Sequence, residues 1–343
     1  MSVYVENLKN NDFIPDTPYK IISDFQISAN GQYSFAEKEG SKYFVKAFIK
    51  PKHPSDKISG ELREKKIKRS NAFPLQHLNM IELFKDNFLE EGQIVYPVDF
   101  ILFGCTFMQF SPYVETFSKD TKSISRESIE KKLLLLRTLT NAIAMLHEQR
   151  VVHSDLKPDN ILVKETASKV LSAKIIDFDG SYISGNPHPK DFLHFDQSYM
   201  APELSLYNQN DENIDKSMMT DKTDIFSLGI IFHEYITGKR PLISGKEHND
   251  IHYIGDALNS DCEVILSTDI LGERLAGLVH SMIAKDYDKR PSTKDILNEI
   301  DVMEISRSFH EPPIPPISTK KEPKITSDKL STGQKFTIIT KKK

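Results

Sequence analysis

Two apolar runs in the middle of this 343-residue chain each lead into a dense group of polar side chains. Residues 151–163 read VVHSDLKPDNILV, and residues 175–180 read IIDFDG. The apolar residues predict buried strands, and the polar residues predict loops that meet at one site. A solvated surface loop needs no such arrangement. These two stretches therefore constrain the fold and its chemistry more than any other part of the sequence.

The residue types in these loops are those that phosphoryl transfer requires. The reaction needs a magnesium site, a lysine near the phosphates and a carboxylate that orients the attacking hydroxyl group. Asp155 is the candidate for that carboxylate, and Lys157 is placed to reach the transferred phosphate. Asn160 and Asp177 offer the hard oxygen ligands that suit Mg²⁺. Each residue alone could simply cap a turn or end a strand, but together they predict one catalytic site.

The motifs around these residues resemble those of eukaryotic-type Ser/Thr protein kinases. HSDLKPDN resembles the catalytic loop of that family, and IIDFDG resembles its metal-binding segment, in which Asp179 stands where the family has glycine. Further matches follow in the family's order: SYMAPE at 198–203, DKTDIFSLG at 221–229 and DKRPS at 288–292. The resemblance covers about residues 19–300.

The resemblance implies structural roles for several buried or charged residues. Asp224 is expected to brace the catalytic loop, and Arg290 is expected to pair with Glu203. His153 is expected to support the loop rather than to take part in the chemistry.

The implied fold is α+β and bilobal, with a small antiparallel sheet and one helix in the N-lobe and a mostly helical C-lobe. We expect the N-lobe to span about residues 19–110 and the C-lobe about residues 112–304. Residues 1–18 are predicted to be an N-terminal extension, and residues 305–343 a basic, Pro/Ser/Thr/Lys-rich tail without a fixed structure.

The hydrophobic pattern agrees with this division. Short alternating segments between Tyr19 and Ile49, broken at glycines, predict antiparallel strands joined by hairpins. Residues 50–72 are highly charged and predict a polar insertion, after which a helix is expected to begin near Pro74. Residues 126–150 carry Leu and Ile at helical spacing and predict an amphipathic helix.

The resemblance also assigns a nucleotide site. Lys46, in YFVKAF, would hold the α- and β-phosphates of ATP, paired with a carboxylate on the following helix. Glu82 is the expected partner, and Glu64 is its rival because the charged insertion blurs the register. The other implied contacts are Ala29, Gly31 and Ser34 in the nucleotide loop, Met108 at the gatekeeper position, and Gln109, Phe110 and Ser111 in the hinge.

The chain departs from the family pattern at three positions. Ser154 replaces the arginine that meets the phosphate of the activation segment, which argues against switching by a phosphate on residues 181–200. Asp196 stands where a threonine is usual. Asp179 is expected to restrict the backbone beyond the metal ligand.

Charge and cysteine content bound the remaining possibilities. Residues 305–343 hold nine Lys or Arg against three acids, a net charge of +6, which leaves −10 for residues 1–304. The acidic body gives no reason to expect nucleic-acid binding, and the basic, proline-containing tail could recruit partners. Two distant cysteines, Cys105 and Cys262, favour a reducing compartment, and no apolar run is long enough to span a membrane.

We therefore expect a cytoplasmic protein kinase that uses ATP and Mg²⁺ to phosphorylate Ser/Thr hydroxyl groups of protein substrates. Lys157, two residues after Asp155, favours Ser/Thr over Tyr by resemblance. Two alternatives remain open: a pseudokinase-type scaffold, and a small-molecule kinase of the aminoglycoside-phosphotransferase type.

Overall fold

The computed structural model describes residues 7–28, 31–53, 61–88, 92–115, 118–188, 195–244 and 251–308. Within these residues an antiparallel sheet with one long helix is followed by a mostly helical part. The predicted α+β bilobal fold is confirmed.

The N-lobe contains a six-stranded sheet in which every pairing is antiparallel. Its strands are β1 (Lys20–Ile21), β2 (Gln26–Ser28), β3 (Gly31–Lys38), β4 (Ser41–Phe48), β5 (Asp99–Phe103) and β6 (Thr106–Pro112). The strand order is β1-β3-β4-β6-β5, and β2 pairs with the other end of β3. The expected hairpins between Tyr19 and Ile49 are therefore present.

The outer face of this sheet is covered by the residues that precede it. Leu8, Ile14 and Tyr19 are buried there in one apolar cluster with side chains of β3, β4 and β6. The Ile21 N–H also donates to the carbonyl oxygen of Asp12 at 2.8 Å. From Leu8 onward, the predicted N-terminal extension is thus part of the N-lobe.

Helix α1 (Glu61–Asn87) begins much earlier than predicted and carries Pro74 in its interior. A proline inside a helix removes one backbone hydrogen bond, which is why the sequence suggested a start there. Phe73 offsets this loss because it is buried and its ring centroid lies 5.1 Å from that of Phe48 and 5.4 Å from that of Phe107. The prediction of a polar insertion up to residue 72 was therefore wrong for the part that is helical.

The face of α1 that meets the sheet is apolar apart from one histidine. It carries Phe73, His77, Ile81 and Phe84, all buried, whereas Leu78 is 45% exposed. The helix ends at Asn87, and Phe88 follows it in the core. The apolar contacts of this face fix how α1 is rotated relative to the sheet.

The C-lobe begins after β6 and alternates helices with short two-stranded pairs. Its helices are α2 (Thr121–Ser125), α3 (Ile129–Glu148), α4 (Pro202–Asn208), α5 (Lys222–Thr237), α6 (Ile254–Asn259), α7 (Thr268–Leu271), α8 (Glu273–Met282) and α9 (Thr293–Ser308). Its strands are β7 (Val151–Val152), β8 (Ile161–Glu165), β9 (Leu171–Ile175), β10 (Tyr182–Ile183), β11 (Leu242–Ser244) and β12 (Glu263–Ile265). The pairs β7–β10 and β8–β9 carry the loops that were predicted to form the site.

The central helices of this lobe follow the predicted periodicity. Helix α3 buries Leu133, Leu136, Leu139, Ile143 and Leu146, and packs against α5 and α9. Helix α5 is buried along most of its length and ends at a left-handed glycine. The amphipathic pattern predicted for residues 126–150 is confirmed.

Helix α9 extends beyond the predicted end of the folded body. It runs to Ser308, with Met303 buried and Glu304 bonded to Arg137 at 3.1 Å. The first four residues of the predicted tail are therefore helical, and residues 309–343 lie outside the described residues. No helix in the described part of the chain is long and apolar enough to cross a membrane.

Candidate active site

A cavity of about 500 Å³ lies between the sheet and the helical lobe. It is lined by Ser28, Tyr33, Phe35, Phe44, Lys46, Val95, Gln109, Ser111, Pro112, Tyr113, Val114, Leu162, Ile176 and Asp177. Most of this wall is aromatic or aliphatic, with one ammonium group and one carboxylate among it. Such a cavity suits a flat apolar ring that carries an anionic group.

Lys46 is held by two carboxylates of the same loop. Its Nζ lies 2.9 Å from Oδ1 of Asp177 and also contacts Oδ2 of Asp179. Burial lowers the pKa of Lys46, but the carboxylates of Asp179 and Asp177 outweigh it, and the net shift is upward. The lysine therefore remains a cation at neutral pH.

The expected helix partner of Lys46 is not in place. Glu82 and Glu64 are both exposed, and neither makes an ion pair within the described residues. The reason is the rotation of α1, whose inward face carries Ile81 and Phe84 rather than a carboxylate. Both predicted candidates for the Lys46 partner are corrected accordingly.

The side chains of β6 are also turned differently from the prediction. The β4–β6 register pairs Lys46 with Gln109 and Ala47 with Met108. Because paired residues share a face, Gln109 points to the cavity and Met108 to the outer face, where it is fully buried. The predicted gatekeeper Met108 is thus on the wrong side of the sheet, and Gln109 occupies that place.

Because side chains alternate along β6, the expected hinge residues Phe110 and Ser111 point to opposite faces of the sheet. Ser111 lines the cavity together with Gln109, whereas Phe110 joins the outer cluster. Phe110 is stacked on Tyr19, with 4.0 Å between their ring centroids. Its side chain therefore belongs to the packing of the sheet and does not contribute to the cavity wall.

The expected nucleotide loop is only partly described, since Ala29 lies outside the described residues. At Gly31 a Cβ would lie 2.6 Å from the carbonyl oxygen of Ala47, so this glycine is required by the close approach of β4. Ser34, expected near the phosphates, is buried on the opposite face, where its Oγ donates to the Ser23 carbonyl at 2.7 Å. That placement corrects the prediction for Ser34.

The catalytic-loop candidates converge on Asp155. Its Oδ2 accepts from Lys157 Nζ at 2.8 Å and from Asn160 Nδ2 at 3.1 Å. Its Oδ1 accepts from the backbone N–H of Asp196 at 2.7 Å. The structure thus brings together Asp155, Lys157 and Asn160. Because both oxygens of the Asp155 carboxylate accept hydrogen bonds, this carboxylate is held in one orientation.

Asp224 fixes the backbone of the catalytic loop at its first residues. Its fully buried carboxylate accepts the backbone N–H groups of His153 and Ser154, each at 2.9 Å. Oδ2 also lies 3.0 Å from Nε2 of His147. Ser154 has a left-handed φ of 67°, which is strained for this residue type, and the bond to Asp224 compensates for that strain. The predicted brace is confirmed.

The segment after β9 alternates between the cavity and the protein interior. Phe178 is buried, with ring centroids 4.9 Å from Phe84 and 4.8 Å from His153, whereas Asp177 and Asp179 both reach Lys46. Burial and the neighbouring Asp179 carboxylate raise the pKa of Asp177, and Lys46 opposes that rise. Phe178 therefore anchors the loop that carries both carboxylates.

The sequence did not predict that Asp179 pairs with Lys46 or that Gln109 bonds to Asp179. Gln109 Nε2 donates to Oδ1 of Asp179 at 2.8 Å, which links β6 to the loop after β9. The other amide atom, Gln109 Oε1, is buried and has no hydrogen-bond partner in the described residues. The spacing of Asp177 and Asp179 could have indicated the second ion pair. Two residues on either side of one buried aromatic residue can point in the same direction, here toward Lys46.

Comparisons with known proteins agree with this geometry. A model described as the protein kinase domain matches residues 32–300 of this chain. Myosin light chain kinase 2 (skeletal/cardiac muscle) of Bos taurus is 25% identical over 294 residues, which cover 82% of this chain and 43% of that protein. Serine/threonine-protein kinase atg1 of Dictyostelium discoideum is 27% identical over 231 residues, covering 65% and 30%. The chain thus spans less than half the length of these relatives.

Proposed function

Since this chain belongs to the protein kinase family, we propose that it transfers the γ-phosphoryl group of ATP to serine or threonine hydroxyl groups of proteins. The observation that carries this proposal is the hydrogen-bonded group around Asp155. A carboxylate held by Lys157, Asn160 and the backbone of Asp196 is suited to orient an attacking hydroxyl group and accept its proton. A scaffold would have no need of that arrangement.

Each remaining residue of the site has a role in this reaction. Lys157 lies beside Asp155, where its charge would stabilise the transferred phosphoryl group. Lys46 would hold phosphate oxygens at the wall of the cavity. The apolar side chains of Phe44, Val95 and Leu162 would enclose the adenine ring and exclude water from it.

The polar residues present also fit a magnesium ion. Asp177 and Asn160 would hold it, and the ion would neutralise charge on the phosphate oxygens. Within the described residues no group of three or more His, Cys, Asp or Glu side chains is arranged to hold a metal ion alone. Magnesium is commonly bound by one or two carboxylates together with phosphates and water.

We further propose that activity does not require a phosphate on the activation segment. Ser154, which replaces the usual arginine, donates through Oγ to the Gly180 carbonyl at 2.8 Å, so this position offers no cation to a phosphate. The backbone of Asp196 already contacts Asp155. Lys190, the only Lys or Arg in the sequence of residues 181–200, and the neighbouring Asp191 lie outside the described residues.

The proposal is tested by incubating the purified chain with labelled ATP, magnesium and a peptide library. Label on serine or threonine peptides that disappears in Asp155→Asn supports the proposed activity. Label on small acceptors alone would indicate a small-molecule kinase, and no label on any acceptor would indicate a scaffold. Fractionation of native cells would test the cytoplasmic location, which also remains part of the proposal.

A further inference from the structure

Lys46 forms its ion pairs with carboxylates of the loop after β9 and not with a carboxylate of α1. The acidic residues of α1 whose side chains are described, Glu64, Glu82 and Asp86, are exposed. The face of the helix that meets the sheet carries aromatic and aliphatic side chains together with His77. No described carboxylate of α1 therefore faces the cavity side of the sheet.

Asp179 supplies a carboxylate where α1 does not. Its side chain is 9% exposed, and Oδ2 contacts the Nζ of Lys46, whose side chain is 15% exposed. Oδ1 accepts from Gln109 Nε2 at 2.8 Å. The two oxygens are therefore both engaged, and the direction of the carboxylate is fixed by β4 and β6 together.

The backbone accommodates this residue without strain. Asp177 adopts a left-handed φ of 65°, but Asp179 is not among the described non-glycine residues with positive φ. The family's glycine is therefore not needed here for its conformational freedom. Phe178, packed against Phe84 and His153, holds the turn so that the carboxylates on either side of it both reach Lys46.

We propose that Asp179 is the positioning residue for Lys46, in the role that the family gives to a glutamate of the helix beside the sheet. This inference rests on the proposed function, because positioning matters only if Lys46 holds phosphates. It follows that the lysine and the metal-binding carboxylate are aligned by one loop. A shift of α1 would therefore reach the ion pair of Lys46 only through the packing of Phe84 against Phe178, whereas a shift of the 177–179 loop would break it directly.

The activity test compares Asp179→Asn, Asp179→Gly and Asp179→Glu with Glu82→Ala. We expect kcat to fall at least tenfold in the Asn and Gly variants while KM for ATP changes less than threefold, since the cavity wall is intact. Asp179→Glu should recover part of the loss, and Glu82→Ala should stay within twofold of wild type. Gln109→Leu, which frees one Asp179 oxygen, should lose about threefold.

A second measurement does not depend on activity. Thermal midpoints of wild type, Lys46→Met, Asp179→Asn and the double variant form a cycle that reports the coupling of the two side chains. We expect the double variant to lose less than the sum of the single losses, because each single change already removes the contact between the two side chains. If one Asp179 variant fails to fold, the remaining variants and the Glu82→Ala control decide the question.

Additive midpoints, or a kcat of Asp179→Gly within twofold of wild type, would overturn the inference. A large loss of kcat in Glu82→Ala would also overturn it. If the wild-type chain shows no phosphoryl transfer, the proposed function fails, while non-additive midpoints would still support the pairing of Asp179 with Lys46.

Discussion

Arg290 and Glu203 are joined by two parallel hydrogen bonds of 2.7 Å, from Nη1 to Oε1 and from Nη2 to Oε2, in the interior of the C-lobe. The Arg290 side chain is fully buried and also donates to the carbonyl oxygens of Ala284 and Lys222, each at 2.8 Å. This pair ties the turn before α9 to the first turn of α4, as the sequence motifs predicted.

Arg290→Lys should lower the free energy of unfolding by about 3 kcal/mol, because a lysine cannot form the planar two-bond contact and leaves Glu203 partly unpaired. The matched control is Arg274→Lys, whose partner Glu299 lies 2.9 Å away at the surface. The control should shift stability by less than about 0.5 kcal/mol. Urea unfolding measures both, and equal shifts would contradict the assigned importance of the buried pair.

Asp224→Asn should destabilise the chain by about 2 kcal/mol, because the amide offers only one oxygen to the two N–H groups of the catalytic loop. Asp221→Asn is the control, since Asp221 is more exposed and approaches His147 only at 4.0 Å. Thermal unfolding compares the two. The brace would be disproved if both variants unfolded at the wild-type midpoint.

Asp155→Asn should reduce kcat by roughly 100-fold to 10,000-fold and leave ATP affinity nearly unchanged, since in the proposed reaction this residue orients the hydroxyl group. Asp177→Asn should instead weaken nucleotide binding that depends on magnesium. Initial rates and titration with a fluorescent ATP analogue, with and without magnesium, separate the two effects. Equal losses of ATP affinity in both variants would show that the two roles are misassigned.

Removal of phosphate from residues 181–200 should leave the initial rate within twofold of the untreated enzyme. Ser181 and Tyr182 are buried, and the Tyr199 hydroxyl donates to Glu234 at 2.7 Å, so a phosphate at these positions would disrupt existing packing. Phosphatase treatment, checked by mass spectrometry, is followed by a rate assay. A tenfold fall that rephosphorylation restores would refute this prediction.

Deletion of residues 309–343 should change the thermal midpoint by no more than about 2 to 4 °C, equivalent to about 1 kcal/mol or less. Deletion of residues 301–343 is the comparison, because it also removes the buried Met303 and the contact of Glu304 with Arg137. The longer deletion should lower the midpoint clearly. Equal midpoints for the two truncations would show that the end of α9 adds no stability.

The catalytic loop could be predicted from sequence because its spacing is short and local. Asp155, Lys157 and Asn160 lie within one loop and one turn, so no distant register decides whether they meet. The bonds from Asp224 to the catalytic loop were predicted for a different reason. Asp224 is far from His153 and Ser154 in the sequence, but the motif DKTDIFSLG that contains it is specific. The structure places these residues together as expected.

The errors fall where two faces of an element could not be distinguished. The apolar face of β6, which carries Met108 and Phe110, is covered by Leu8 and Ile14 and does not line the cavity. Because these covering residues were assigned to an extension outside the domain, the pattern gave no sign that Gln109 rather than Met108 faces the cavity. A shift of one residue in a strand exchanges its two faces. For α1, the rotation that exposes Glu82 depends on tertiary burial of Phe73, which local propensity does not report.

The amide of Gln109 bears on the design of selective inhibitors. Its Oε1 is a hydrogen-bond acceptor without a partner in the described residues, in a wall that otherwise presents mainly apolar side chains. Because this oxygen is buried, we expect a heteroaromatic compound that directs an N–H toward it to gain a hydrogen bond when the Gln109 side chain turns its oxygen toward the cavity. A compound that places an alkyl group there would not gain that bond, so a scaffold optimised for a thioether or methyl group at this position should bind this chain less tightly than one with an N–H donor.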